Sequence, residues 1–181
     1  MNNKEVELKF VITKNKRQEI IEDISKFSRF VSEKRQIDTY YIPSFKEFEI
    51  GGETMECLRV RETVNKSILC YKKIHREATP VFCDEYELEI SNKKEMEKIL
   101  FALGFSVQML IDKTRLSFEC GEFEIDFDSV NGELELMEVE LKNDSLDTDS
   151  ILDFVKKYGL TKDDVTYRGI QKLVQELSKK E

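Results

Sequence analysis

The chain has 181 residues and a formal net charge of −8, with 40% hydrophobic and 36% charged residues. This length and composition favour one globular domain over residues 1–181, and the acidic balance argues against nucleic-acid binding. There is no apolar run near the ~20 residues of a membrane span, and the first residues are charged, so we expect a cytoplasmic protein without a signal peptide or membrane contact.

The first predicted strand, at about residues 4–12, carries the most informative pattern. Successive side chains of a strand point to opposite faces, so Glu5, Glu7 and Lys9 share one face and apolar residues share the other. Two carboxylates one strand repeat apart suit a hard divalent cation, and a lysine beside them suits an anion. The alternative interpretation is an ordinary half-exposed strand with a charged surface.

The same alternation of apolar and charged residues recurs in later strands, with acidic and basic residues sorted into separate groups. These strands are predicted near 35–42, 46–50, 56–63, 67–75, 83–90, 106–111, 113–119, 122–128 and 134–142. We therefore expect an α+β fold, namely an antiparallel eight-stranded β-barrel that forms a tunnel, with a charged lumen and helices packed outside. Charges of both signs cannot fill a dry core unpaired, so the lumen should hold water, metal and a polyanion.

Helical spacing of apolar residues predicts four helices. They lie at about 15–29, between a cap at Ser91 and a stop at Gly104, between a cap at Asp149 and a stop at Gly159, and at about 168–179. The buried stripe of the first helix is expected to consist of Ile20, Ile21, Ile24 and Phe27.

The four cysteines contain no Cys-x-x-Cys pair and are predicted to be reduced, structural thiols. Because the chain has a single histidine, His75, a zinc site is not expected. Any metal is predicted to be held by carboxylates, which favours Mg²⁺ or Mn²⁺. Proton transfer must then rely on carboxylates, lysine, tyrosine or water.

An ordered set of short motifs resembles the CYTH superfamily, also called triphosphate tunnel metalloenzymes. The set comprises Glu-x-Glu-x-Lys from Glu5, Arg-x-Arg from Arg59, the lone Lys72, Lys-x-Arg from Lys113 and Glu-x-Glu from Glu138. The stretch Asp38-Thr39-Tyr40-Tyr41 is also similar to one found in this family. The superfamily includes class IV adenylate cyclases, thiamine triphosphatases and inorganic triphosphatases, and the resemblance extends from Glu5 to about Leu173.

The resemblance assigns a set of cations to triphosphate binding, although a solvated strand face remains the alternative for any one of them. The set is Lys9, Arg59, Arg61, Lys72, Lys113, Arg115 and, in the tail, Arg168. Lys72 is preferred to Lys73 because it continues the family's spacing. The tail motif around Arg168 matches only loosely, because it lacks the Ser-Tyr that cyclase-like relatives often carry after the arginine.

The resemblance also implies that carboxylates bind two metal sites on the phosphate chain. The expected ligands are Glu5, Glu7, Asp126, Glu138 and Glu140, with Asp128 as an alternative to Asp126. The residues Glu5, Glu7 and Lys9 are the expected catalytic residues. Around them, Glu87 and Glu89 are expected to order the tunnel cations. By contrast, Glu133 and Glu135 are interpreted as a solvated approach or bulge beside packed leucines.

Three functions remain open at this level. The favoured function is that of a triphosphatase, in which water is the nucleophile. Its substrate would be tripolyphosphate or an organic triphosphate such as thiamine triphosphate. A ribose 3′-hydroxyl makes it a cyclase that converts ATP to cyclic AMP and pyrophosphate. A non-catalytic polyphosphate or nucleotide binder is the third.

Three aromatic residues have two possible roles: Tyr40, Tyr41 and Phe45 either stack on a base or belong to the core. The sequence also leaves open whether the protein forms a homodimer.

Overall fold

The computed structural model describes residues 4–50, 53–78, 82–142 and 147–179, without the side chains of Lys4 and Glu5. The described residues divide into two compact units. Unit 1 comprises residues 1–4, 35–112 and 168–181, and unit 2 comprises residues 5–34 and 113–167. The single domain expected over 1–181 stays a prediction.

The α+β class is confirmed, because α-helices accompany a large antiparallel sheet. The strands are β1 Lys4–Glu5, β2 Glu7–Ile12, β3 Arg29–Pro43, β4 Glu49–Ile50, β5 Glu53–Thr54, β6 Glu56–Glu62, β7 Ser67–His75, β8 Phe82–Ile90, β9 Phe105–Cys120, β10 Phe123–Val130 and β11 Leu134–Leu141. The α-helices are α1 Lys14–Ile24, α2 Lys93–Ala102, α3 Thr148–Val155 and α4 Ile170–Ser178. In the described part of the chain, no helix combines the length and apolar character that crossing a membrane requires.

In unit 1, β8, β7, β6 and β3 are neighbouring antiparallel strands. One face of this sheet packs its apolar side chains into a core with α2. The buried members of this core are Tyr41, Phe48, Leu58, Val60, Ile90 and Leu100. The opposite face carries Arg59 and Arg61, so the alternation of the sequence separates an apolar from a charged side.

In unit 2, the strand order is β9, β10, β11 and β2. The apolar residues predicted to face away from the charges are buried: Val6 and Leu8 expose 7% and 4% of their surface, and Ile125 and Phe127 expose none. On this unit, α1 contacts β11, and α3 contacts β11 and β2. The period-two pattern therefore predicted the buried side of these strands correctly.

The first helix is shorter than predicted, because it ends at Ile24 and not near residue 29. The hydroxyl of Ser25 donates to the carbonyl of Ile21 at 2.6 Å, and that of Ser28 donates to the carbonyl of Ile24 at 2.7 Å. The same carbonyls also accept backbone N–H groups, from Ser25 to Ile21 at 3.0 Å and from Ser28 to Ile24 at 2.8 Å, so each serine hydroxyl adds a second donor at the helix end. As a result Phe27 lies outside the helix and is 52% exposed, whereas Ile24 is fully buried as expected.

Several other boundaries also differ from the predicted ones. The strands expected at 106–111 and 113–119 are one continuous strand, β9, and the strand expected at 46–50 is reduced to β4. The cap of α2 is Asn92, one residue after the predicted Ser91, and the cap of α3 is Asp147, two residues before the predicted Asp149. Each cap side chain accepts a backbone N–H of the first turn, which is the physical role of an N-cap.

Candidate active site

Two arginines of β6 lie on the charged face of unit 1 and are buried, with 9% exposure for Arg59 and 8% for Arg61. The register places Arg61 opposite Asp38 of β3. Both oxygens of Asp38 accept hydrogen bonds from Arg61, from Nε and Nη2, at 2.8 Å each. The carboxylate of Asp38, which is fully buried, therefore fixes the planar fork of Arg61.

The guanidinium of Arg59 is held much more loosely than that of Arg61. Its Nη1 lies 3.9 Å from Asp38, and its Nη2 lies 3.5 Å from Glu85 and 4.0 Å from Glu87. Its Nε is buried without a hydrogen-bond partner. Buried donors are nearly always satisfied, and an anion is one kind of acceptor that would satisfy this group.

The face that carries Arg59 also carries Lys72 of β7. In the register, Lys72 lies between Cys57 and Glu85, and its Nζ is 3.0 Å from Glu85. The neighbouring Lys73 points to the opposite face and is exposed. The structure therefore places Lys72, and not Lys73, on the same strand face as the two arginines.

A possible metal-binding group in unit 1 was not predicted. One ligand atom each of Cys70, Glu85 and Glu87 lies within 4.8 Å of the others. The sequence had assigned Glu87 and Glu89 to ordering the cations, but Glu87 is 4.0 Å from Arg59 and Glu89 is exposed. The carboxylate nearer to Arg59 and Lys72 is Glu85, which begins the same alternating stretch and was overlooked.

In unit 2, Arg115 of β9 connects three carboxylates. Its Nη1 donates to Asp126 at 2.5 Å, its Nε and Nη2 donate to Asp128 at 2.7 and 2.6 Å, and its Nη2 also donates to Glu138 at 2.5 Å. The ammonium of Lys113 donates to Asp128 at 2.5 Å, and neither side chain has exposed surface. A second lysine, Lys9, lies 3.0 Å from Glu138. All three predicted cations of this unit thus contact predicted carboxylates.

These contacts shift the pKa values in different directions. Burial raises the pKa of Asp126, and the nearby Arg115 only partly offsets this. For Asp128, burial acts in the same direction, but Arg115 and Lys113 outweigh it and lower the pKa. The pKa of Glu138 is held well below its usual range, because Lys9, Arg115 and Lys113 overcome the effect of burial. Asp128 and Glu138 are therefore carboxylates at neutral pH.

The predicted metal ligands include a like-charged pair. Glu7 of β2 and Glu140 of β11 are direct cross-strand partners. Like charges in this position repel each other, so a divalent cation would stabilise the pair. Near them, Glu138 and Asp126 are turned towards Arg115, and Asp128 is enclosed by cations. The remaining predicted ligand, Glu5, has its backbone in β1, but its side chain lies outside the described residues.

The charge balance of this face fits Mg²⁺ or Mn²⁺. Among the predicted site residues on this face, the carboxylates Glu7, Asp126, Asp128, Glu138 and Glu140 outnumber the cations Lys9, Lys113 and Arg115. A hard divalent cation with oxygen ligands offsets such an excess. The oxygen donors are of the type that these metals prefer, but among the described residues the group whose ligand atoms already lie together is Cys70, Glu85 and Glu87 of unit 1.

Two of the remaining sequence interpretations concern single charged residues. Glu135 is not solvated, because it is 6% exposed, accepts from Ser129 at 3.0 Å and lies 3.4 Å from Arg17. It occupies the side of β11 that faces α1, where Arg17 covers it; the leucines on either side of it are buried, as expected. Arg168, in unit 1, is largely exposed and donates to Glu176 at 2.5 Å.

The aromatic residues considered for base stacking differ in exposure. Tyr40 and Tyr41 are 2% and 1% exposed, and the hydroxyl of Tyr41 donates to Glu97 of α2 at 2.9 Å. Phe45 is 68% exposed and packs edge-on against Phe105. The two tyrosines therefore belong to the core and have no ring face available for a base.

A family model described as the CYTH domain matches residues 3–170. The chain belongs to the CYTH family. A conserved protein of Pyrococcus furiosus is similar at 26% identity, with a TM-score of 0.75, 93% of this chain and 99% of that chain covered. The PH1012 protein of Pyrococcus horikoshii is similar at 24% identity, with a TM-score of 0.76 and coverage of 93% and 98%.

A more distant structural neighbour of this CYTH protein has a described activity. HpAC1 from Hippeastrum, described as an adenylyl cyclase candidate with a dominant triphosphatase activity, is 16% identical, with a TM-score of 0.66 and coverage of 97% and 95%. At this identity the similarity shows the fold alone. No significantly similar sequence was found among curated proteins.

Proposed function

We propose that this CYTH protein is a metal-dependent enzyme that hydrolyses a linear triphosphate. The observation that carries the proposal is Arg59, a buried guanidinium on a cationic strand face whose Nε has no hydrogen-bond partner. Guanidinium groups bind phosphate oxygens in a bidentate manner, and the phosphate chain of such a substrate is strongly anionic. A phosphate group would supply the acceptor that Arg59 lacks.

We also propose that the strands close into an eight-stranded barrel, with the charged faces lining a tunnel. Two features support this arrangement: each unit has one buried apolar face and one charged face, and the chain belongs to the CYTH family. The cations of both faces would then bind one phosphate chain: Lys9, Arg59, Arg61, Lys72, Lys113 and Arg115, with Arg168 contributed by the tail.

The metal would be held by Glu7, Glu138 and Glu140 together with Asp126, and Glu5 belongs to the same proposed set. When bound, Mg²⁺ or Mn²⁺ neutralises charge that develops on the phosphate oxygens. Substrate binding would also change the hydrogen-bond partners of Arg115. A phosphate oxygen that contacts Arg115 competes with the carboxylates for its N–H donors. The carboxylates released in this way become available as metal ligands.

In the proposed reaction, water attacks the terminal phosphorus and the bond to the bridging oxygen breaks. With tripolyphosphate the products are phosphate and pyrophosphate. The cations hold the chain in line with the attacking water and stabilise the charge on the leaving group. The single histidine, His75, lies on the opposite face of β7 from Lys72, so the proton passes to a carboxylate or to solvent.

The proposed substrates are tripolyphosphate and organic triphosphates such as thiamine triphosphate, and the proposed compartment is the cytoplasm. Hydrolysis ranks above the cyclisation of ATP because two of the three aromatic residues considered for stacking, Tyr40 and Tyr41, are buried, and the exposed third, Phe45, packs edge-on against Phe105. The triphosphatase activity described for HpAC1, a structural neighbour, agrees with this ranking.

The deciding experiment incubates purified protein with tripolyphosphate, ATP or thiamine triphosphate and with Mg²⁺ or Mn²⁺, and identifies the products. We expect phosphate release that stops in excess chelator. Cyclic AMP and pyrophosphate formed from ATP faster than phosphate is released from tripolyphosphate would reverse the ranking. Binding of these compounds without any product would favour the non-catalytic binder.

A matched pair of arginine variants tests the site. We expect Arg59→Ala to lower kcat/KM for the triphosphate. The ratio of the two kcat/KM values should correspond to a loss of about 2–4 kcal/mol of transition-state stabilisation. The control is Arg35→Ala, which removes a surface arginine of the same unit that pairs with Asp112. Equal rates for the two variants would contradict the assignment of Arg59.

A further inference from the structure

We propose that Asp38 is a positioning residue of the anion site, which fixes the orientation of Arg61 and leaves Arg59 as the guanidinium that makes the larger contribution to binding the phosphate chain. This inference rests on the proposed function, because it divides roles among residues of the same site. It also gives a specific task to an aspartate that the sequence had marked only as part of a motif.

The first observation is the completeness of the contact between Asp38 and Arg61. The two residues are cross-strand partners on β3 and β6, and both carboxylate oxygens are used at 2.8 Å. Asp38 has no exposed surface, so water does not compete for these bonds. A bidentate pair of this kind fixes the plane of the guanidinium as well as its position.

The second observation is the contrast with Arg59, two residues away on the same strand face. No contact of Arg59 with a carboxylate oxygen is shorter than 3.5 Å, and its Nε has no partner among the described residues. An unsatisfied buried donor is unfavourable, and a ligand that accepts from it removes the penalty. A phosphate oxygen is such an acceptor, whereas Arg61 has already committed two donors to Asp38.

The charge of Asp38 also makes this arrangement possible. Two guanidinium groups on alternate residues of one strand face repel each other, and both are about nine-tenths buried here. The carboxylate lies between them, bonded to Arg61 and 3.9 Å from Nη1 of Arg59. Loss of this charge should allow the two arginines to separate, so that Arg59 leaves its orientation.

The test compares Asp38→Asn with Asp112→Asn. Asp112 also accepts a bidentate contact, from Nε of Arg35 at 2.9 Å and Nη2 at 2.5 Å, but that arginine is 65% exposed. The probe is the bis-methylene analogue of tripolyphosphate with Mg²⁺, which cannot be hydrolysed at its bridges. Its Kd is measured by calorimetry at a temperature where circular dichroism shows each variant folded. We expect Asp38→Asn to weaken binding at least tenfold and Asp112→Asn to change it less than twofold.

A double-mutant cycle separates positioning from a merely structural role. If Asp38 acts through Arg61, the loss caused by Asp38→Asn should shrink to less than about threefold in an Arg61→Gln background. A structural role predicts the same loss in both backgrounds. If Asp38→Asn does not fold, Arg59→Gln and Arg61→Gln are compared instead, and the proposal requires the larger loss of affinity for Arg59→Gln.

The outcomes distinguish this inference from the function on which it rests. Wild-type protein that does not bind the analogue would overturn both the proposed function and the role of Asp38. Wild-type binding with an unchanged Kd for folded Asp38→Asn, or with an equal loss for Asp112→Asn, would overturn only the positioning role.

Discussion

The substitution Asp128→Asn tests whether this carboxylate holds cations or binds metal. Asp128 is fully buried and accepts from Lys113 at 2.5 Å and from Arg115 at 2.7 and 2.6 Å. Asparagine keeps the shape but removes the charge, so the buried ammonium of Lys113 loses its counter-ion. Breaking a buried ion pair on one side typically costs about 3–5 kcal/mol. We expect the free energy of unfolding to fall by about this amount.

The assay is urea unfolding at 25 °C in EDTA, followed by far-UV circular dichroism because the chain has no tryptophan. With an m-value of about 2 kcal/mol/M, the midpoint should fall by roughly 1.5–2.5 M. The control is Asp126→Asn, whose side chain is 24% exposed and whose pKa is raised by burial. Its ionised form gains little from folding, so we expect a change of less than about 1 kcal/mol.

A rescue variant and a refuting result complete this test. The double substitution Lys113→Met with Asp128→Leu removes the charge of Lys113 that Asp128→Asn leaves uncompensated, so it should recover part of the lost stability; Arg115 still loses its contacts with Asp128. If Asp128→Asn unfolds within roughly 0.5 M of the wild type in EDTA but is no longer stabilised by Mn²⁺, the reasoning fails. That result would make Asp128 the metal ligand that the sequence offered as an alternative to Asp126.

Three further predictions follow from the contacts. Mn²⁺ should raise the free energy of unfolding of the wild type but not of Glu7→Gln, whereas in EDTA the two proteins should differ by less than about 1 kcal/mol in urea unfolding. Burial raises the pKa of the Cys57 and Cys70 thiols. Iodoacetamide should therefore alkylate them slowly at pH 8 and faster at higher pH, as measured by mass spectrometry. Rapid alkylation at pH 7 would be inconsistent with this expectation. Ile24→Ala should cost about 2–5 kcal/mol and Phe27→Ala about 1 kcal/mol or less, and equal losses in denaturation would contradict the observed end of α1.

The sequence predicted the faces of the strands better than the ends of the elements. Alternation has a period of two, so any six residues of a strand reveal which side chains share a face. After Ile24 the backbone N–H groups of Lys26 and Phe27 donate to carbonyls three residues earlier, and the hydroxyls of Ser25 and Ser28 donate to carbonyls as well; nothing in the apolar spacing reports this. The predicted helix continued to Phe27 because a half-exposed aromatic residue and a buried one look the same in that pattern.

Which charged residues pair with each other was beyond the reach of the same local patterns. Strand parity placed Arg61 on a charged face, but its partner Asp38 lies 23 residues earlier in the chain. Likewise Lys113 and Asp128 are 15 residues apart. Only the register between strands brings such residues together, and register is set by turns and by the packing of the whole sheet.

The missing register explains why ligand roles were harder to assign than faces. A face that alternates Asp126 and Asp128 looks equivalent at both positions, and the sequence left the choice open. The register opposes Asp128 to Arg115 and Asp126 to Ser117, so one carboxylate is enclosed by cations and the other keeps an exposed side. Because a carboxylate enclosed by two cations has few lone pairs left for metal, this contrast favours the proposal that Asp126 binds metal and Asp128 holds the cations.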